Sequence, residues 1–118
     1  MSAAEEAAGI DLEPERVAQL LAEDPSLQLI DVREPAEHQA GHIDGTRLIR
    51  LVELTAQADS IERARPVVFY CRVGARSLMA AQAFRGAGFE AYSMTGGLVR
   101  WAQEQRALSP EDGYVADH

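Results

Sequence analysis

An α/β three-layer domain with a mainly parallel five-stranded sheet is the fold class the sequence predicts, and three features predict it. Short runs of strand-forming residues, 27–32 and 66–70 above all, alternate with stretches whose apolar residues recur at helical spacing. Glycine and proline punctuate the connections, and no repeat or low-complexity linker interrupts the order. With 118 residues, 47% hydrophobic and 25% charged, the chain is one globular domain large enough for a core.

Residues 1–8, rich in alanine and glutamate, are expected to be a flexible N-terminus. Gly9-Ile10-Asp11 reads as a short edge strand. Pro14 suits the first turn of a helix whose apolar face is Val17, Leu20 and Leu21, and Asp24-Pro25 ends it. Residues 27–32 form a buried strand that delivers Asp31 and Arg33 to its carboxyl end, where a capping or salt-bridging role is expected of both. Pro35 opens and Gly41 closes a short helix over 34–40. His42, beside that glycine, is expected to bond backbone rather than to act as an acid or base.

A short strand over 46–49 leads to a helix carrying Leu51, Leu54, Ala58 and Ile61 inward. Residues 66–70 are the central strand, and the helix after it is expected to pack through Ala80, Ala83, Phe84 and Ala87 until Gly86 or Gly88 stops it. A last strand over 90–94, with Tyr92 and Met94 on one face, passes through Thr95-Gly96-Gly97 into a final helix. Leu98, Trp101 and Ala102 share a face of that helix, with Trp101 as a core anchor. The domain therefore runs from 9 to 107, and 108–118, which carries Glu111, Asp112 and Asp117, is expected to be a mobile acidic tail.

The candidate chemistry lies in Cys71-Arg72-Val73-Gly74-Ala75-Arg76-Ser77, which holds the only cysteine. It falls at a strand-to-helix turn, at the carboxyl end of a parallel strand where ligands bind in such sheets. Unpaired N–H groups at the start of the helix can cradle an anion there. A cysteine at a helix N-terminus beside arginine has its pKa lowered below the free value of about 8.5, and the thiolate is the nucleophile. Ordinary cysteines are small buried hydrophobes, but such a residue has no use for Arg72, Gly74 and Arg76 close by, so Cys71 is read as the catalytic group. Gly74 serves a tight turn or lets backbone approach a bound group; Ser77 is expected to cap the helix rather than to donate a hydrogen bond toward the sulfur; Arg76 either pairs with a carboxylate or attracts an anionic substrate.

Composition narrows the remaining classes. A formal net charge of −8 argues against nucleic acid and acidic membranes, and all eleven basic residues are arginine. Two of them bracket Cys71, so a small positive basin inside an acidic surface is expected. One cysteine and three histidines without metal-ligand spacing imply no metal site and no disulfide framework, and no cofactor is called for. A free thiol, the lack of a long apolar run and an acidic start point to the cytoplasm, with a monomer as the default.

The 71–77 loop resembles the active-site loop of rhodanese-type sulfurtransferases, with cysteine first, glycine fourth and arginine-serine closing. Leu29-Ile30-Asp31-Val32-Arg33-Glu34-Pro35-Ala36-Glu37-His38 with Gly41-His42-Ile43-Asp44-Gly45 resembles the first signature of that family, and Gly96-Gly97-Leu98-Val99-Arg100-Trp101 its C-terminal one. The segment Gly45-Thr46-Arg47-Leu48-Ile49-Arg50 lacks the usual proline, which leaves open where the next helix begins.

The resemblance implies a rhodanese-like fold and a sulfane sulfur carried on Cys71. The donor would be a small anion such as thiosulfate and the acceptor cyanide or a thiol, with the loop residues Arg72, Val73, Gly74, Ala75, Arg76 and Ser77 binding the persulfide. A module relaying sulfur to a partner protein is the alternative. A cysteine-dependent phosphatase or arsenate reductase is disfavoured, because Arg76 stands five positions after the cysteine where those loops place arginine sixth.

Overall fold

A computed structural model describes residues 9–117, and the flexibility expected of 1–8 lies outside the described residues. Its five strands are β1 (Asp11–Leu12), β2 (Gln28–Asp31), β3 (Arg47–Leu48), β4 (Val67–Tyr70) and β5 (Ala91–Met94). They form one fully parallel sheet in the order β1-β5-β4-β2-β3. The helices are α1 (Pro14–Glu23), α2 (Pro35–Ala40), α3 (Leu54–Gln57), α4 (Ala75–Gly86) and α5 (Gly97–Gln103). Three-ten turns at Leu51–Glu53 and Ala58–Ser60 flank α3, so the expected single helix is broken into short pieces. Leu54 and Ile61 are nevertheless buried there, with Leu51 and Ala58 packed beside them.

Alternation along the strands divides the core between the two faces of the sheet. Val67, Phe69 and Cys71 join Ile30, Val32, Ala80, Ala81 and Phe84 on one face. Val68 and Tyr70 join Val17, Leu29, Met94, Leu98 and Trp101 on the other. Every residue of β4 and β5 is buried, the mark of strands covered on both sides by helices.

Two expectations about α4 are corrected. Ala83 and Ala87 are exposed, and the packed face is Ser77, Ala80, Ala81 and Phe84. The reason is the starting point: α4 begins at Ala75 from Gly74, whose φ of 108° is left-handed, so Gly74 and not Ser77 holds the cap position. The buried i, i+3, i+4, i+7 set then counts from Ser77 and draws that side chain under the loop.

The segment from Leu108 onward, expected to hang free, lies against the domain. Ser109 and His42 form an antiparallel bridge, and the Tyr114 N–H donates to the Ala40 carbonyl at 2.9 Å. Leu108 and Val115 pack against the core. No side-chain pattern announced this, because the anchoring bonds are between backbone groups.

Candidate active site

β4 ends at Tyr70, and the next residue enters the loop with its side chain on the α4 face of the sheet. Cys71 is 1% exposed, and its sulfur is turned toward the loop amides. The Gly74 N–H donates to Sγ at 3.1 Å and the Ser77 N–H at 3.4 Å, and the Ser77 hydroxyl lies 3.6 Å away. Two of the six loop residues expected to hold a bound group, Gly74 and Ser77, thus bring backbone donors to the sulfur.

The loop is clamped from behind by α5. The Leu98 N–H donates to the Cys71 carbonyl at 2.8 Å and the Val99 N–H to the Arg72 carbonyl at 3.0 Å. This close approach needs glycine, since a Cβ on Gly97 would fall 2.5 Å from the Arg72 carbonyl, and φ there is +60°. The Gly-Gly pair is therefore the contact that fixes the loop rather than a ligand cradle of its own. Gly97→Ala is expected to displace the Cys71-Arg72 backbone and to slow reaction of the cysteine at least tenfold, about the 1.4 kcal/mol that modest backbone strain costs. Alkylation kinetics check this.

Ser77 is more than a turn residue. Its hydroxyl is 2.8 Å from that of Ser93 and donates to the Gly74 carbonyl at 3.2 Å. Ser93 sits beside Phe69 in the register of β4 and β5, on the face that looks toward α4. Sequence reasoning missed Ser93, although a serine amid the buried residues of a central strand is itself a signal that a buried partner exists.

The arginines flanking Cys71 are not a free positive basin, and that expectation is corrected. Arg76 forms a two-pronged pair with Glu37 of α2 at 2.9 and 3.0 Å, which decides between the two roles left open for it. Glu37 is 3% exposed and was not anticipated. Arg72 donates to Asp117 at 3.0 Å. Val73 is half exposed at 51% and Ala75 is exposed.

Burial pushes the Glu37 carboxyl up, but the Arg76 hydrogen bonds, the Glu34 N–H and the charges of Arg76 and Arg33 outweigh it and hold Glu37 below its usual 4.5. A depressed folded value means the pair contributes its full stability above about pH 4.5 and loses it as pH falls through the folded value. Glu37→Gln should therefore flatten the stability profile below pH 4.5, as read by urea titrations at a series of acid pH values.

Asp31 and Arg33 reach the same rim as an ion pair with each other. Both are fully buried, and the Arg33 Nε and Nη2 donate to the two Asp31 oxygens at 2.9 and 2.7 Å. Arg33 also donates to the Gly41 carbonyl at 2.8 Å, which ties β2 to the corner after α2. His38 Nδ1 lies 2.9 Å from Asp31, and His42 Nδ1 bonds the His38 carbonyl at 2.8 Å. Among the described residues no cluster of metal-ligating side chains occurs, and no helix is long and apolar enough to cross a membrane.

Comparison with known proteins places these features among relatives. The model of the rhodanese-like domain matches residues 13–104. The uncharacterized protein YqhL of Bacillus subtilis is 43% identical over 81 residues, covering 68% of this chain and 64% of YqhL, so the chain spans less than two thirds of that relative. Thiosulfate sulfurtransferase GlpE of Pseudomonas paraeruginosa is 35% identical over 103 residues, covering 84% of this chain and 86% of GlpE. A rhodanese-related protein of Thermoplasma volcanium superposes with a TM-score of 0.74 at 25% identity, over 84% of this chain and 96% of that one.

Proposed function

This chain belongs to the rhodanese-like domain family, and on that premise we propose that it is a sulfurtransferase whose Cys71 carries sulfane sulfur between a small donor and a thiophilic acceptor. The Cys71 thiolate attacks the outer sulfur of thiosulfate, the donor S–S bond breaks, sulfite leaves with its electron pair, and a persulfide anion remains on the enzyme. Attack by cyanide or a thiolate on the terminal sulfur then forms thiocyanate or a new persulfide and restores the Cys71 thiolate. Charge is conserved in both halves, and neither half needs a metal or an organic cofactor.

The observation that carries this reading is the pair of N–H groups at 3.1 and 3.4 Å from Sγ. Preorganised backbone donors of this kind stabilise charge on the sulfur at no reorganisation cost. Phosphoryl chemistry is less well served, because Arg76 is engaged by the buried Glu37 rather than held ready for a tetrahedral oxyanion. A thiol on a partner protein as acceptor is the second reading, and it uses the same loop chemistry. A monomer in the cytoplasm, where a free thiol persists, fits either.

Intact-mass measurement tests the proposal. After thiosulfate the protein should gain one sulfur atom and lose it on addition of cyanide. A protein that remains at its starting mass with thiosulfate and with low-molecular-weight persulfides alike contradicts the proposal.

A further inference from the structure

We propose that residues 108–117 form a strap that sets the donor specificity of the Cys71 loop, with Asp117 holding Arg72 so that a small multiply charged anion must compete with a carboxylate already in place. The inference rests on the sulfurtransferase reading and ranks the donors that reading admits, thiosulfate below the persulfide of a small thiol.

The strap is anchored before it reaches the loop. Ser109 and His42 exchange backbone hydrogen bonds at 2.7 and 2.9 Å, Gly113 turns back onto the Pro110 carbonyl at 2.7 Å, and the Tyr114 N–H bonds Ala40. Gly41 meets the Tyr114 backbone so closely that a Cβ there has no room. Leu108 and Val115 add apolar contact on the core side. Held this way, the chain delivers the Asp117 carboxylate to Arg72 Nη2 at 3.0 Å.

The consequence is electrostatic. Arg76 is neutralised by Glu37 and Arg72 by Asp117, so neither guanidinium flanking the cysteine offers an unshared positive charge. The whole chain carries a formal net charge of −8, which further penalises a dianion.

A donor of lower total charge suffers least, and the persulfide of a small thiol, at most a monoanion where thiosulfate is a dianion, is such a donor. The Cys71 thiolate attacks its outer sulfur, the S–S bond of the donor breaks as the new one forms, and the donor thiolate leaves with the electron pair. The enzyme is left as the persulfide anion, with no oxidant or reductant consumed.

The test is Asp117→Asn, a change at a side chain 93% exposed that leaves the core untouched. Cys71 is alkylated with anionic iodoacetate and neutral iodoacetamide, and sulfur loading is timed with thiosulfate and with the persulfide of 2-mercaptoethanol. At low ionic strength the variant should react about three- to fivefold faster with iodoacetate and thiosulfate, the order expected when one exposed unit charge beside an anion held by Arg72 is removed in water. Its iodoacetamide rate should match wild type, and the thiosulfate advantage should vanish near 1 M salt, where screening acts within about 3 Å.

Glu111→Gln, which removes a charge elsewhere on the strap, should leave the iodoacetate-to-iodoacetamide ratio at its wild-type value. An unchanged ratio in Asp117→Asn, or an equal shift in Glu111→Gln, overturns the assignment. A shifted ratio in a protein that takes sulfur from no donor keeps the electrostatic effect, but it overturns the sulfurtransferase reading and the donor specificity with it.

Discussion

Cys71→Ser is expected to abolish sulfur loading, with turnover falling by at least about a thousandfold, since no other side chain in the loop can supply the nucleophile. The fold should persist. Serine is smaller by little, and its hydroxyl can accept the same Gly74 and Ser77 N–H bonds that now reach the sulfur. Unchanged thermal unfolding beside lost loading assigns the effect to chemistry. A variant that still gains sulfur, or one whose mass change maps elsewhere, contradicts the role given to Cys71. The same variant separates the rival readings, because an aryl phosphatase activity that vanished with Cys71 would require a different use of the loop.

Asp31→Ala should produce the largest loss of stability. Arg33 is fully buried, and the substitution removes the carboxylate its guanidinium bonds directly, leaving the Gly41 carbonyl as bonded partner and Glu37 as the more distant charge. Removing one partner of a buried ion pair costs about 3–5 kcal/mol, a large share of the 5–15 kcal/mol that holds a typical domain together. The effect should appear in urea unfolding as a lower midpoint. Pairing the change with Arg33→Met should recover part of it, because the uncompensated charge is then gone. A loss below about 1 kcal/mol for Asp31→Ala, or no recovery in the double variant, contradicts the structural role assigned to the pair.

What the sequence revealed and what it concealed have separate physical causes. The loop at 71–77 was legible because its chemistry is local: strand, cysteine, glycine and helix follow within one short run. The central strands were legible as continuous apolar stretches, since both faces of β4 and β5 are covered. Glu37 was invisible as the partner of Arg76 because 39 positions separate them, and a glutamate early in a helix has an ordinary explanation in the helix dipole. Ser77 reads as a cap in the sequence because serine favours that position, whereas a left-handed Gly74 starts the helix three residues earlier. The strap was concealed most completely. Its bonds to Ala40 and His42 use backbone atoms, so a polar stretch with proline and glycine gives the same sequence signal whether it is docked or free.

On the proposed mechanism the amides of the loop, not a side-chain charge, stabilise the sulfur carried on Cys71. The direct measurement is the amide proton and nitrogen resonances of 15N-labelled protein before and after treatment with thiosulfate. Loading should move the Gly74 and Ser77 signals strongly downfield while the amides of β1 and α1 stay in place, and cyanide should return them. A loaded protein in which the Gly74 and Ser77 signals do not move contradicts the account.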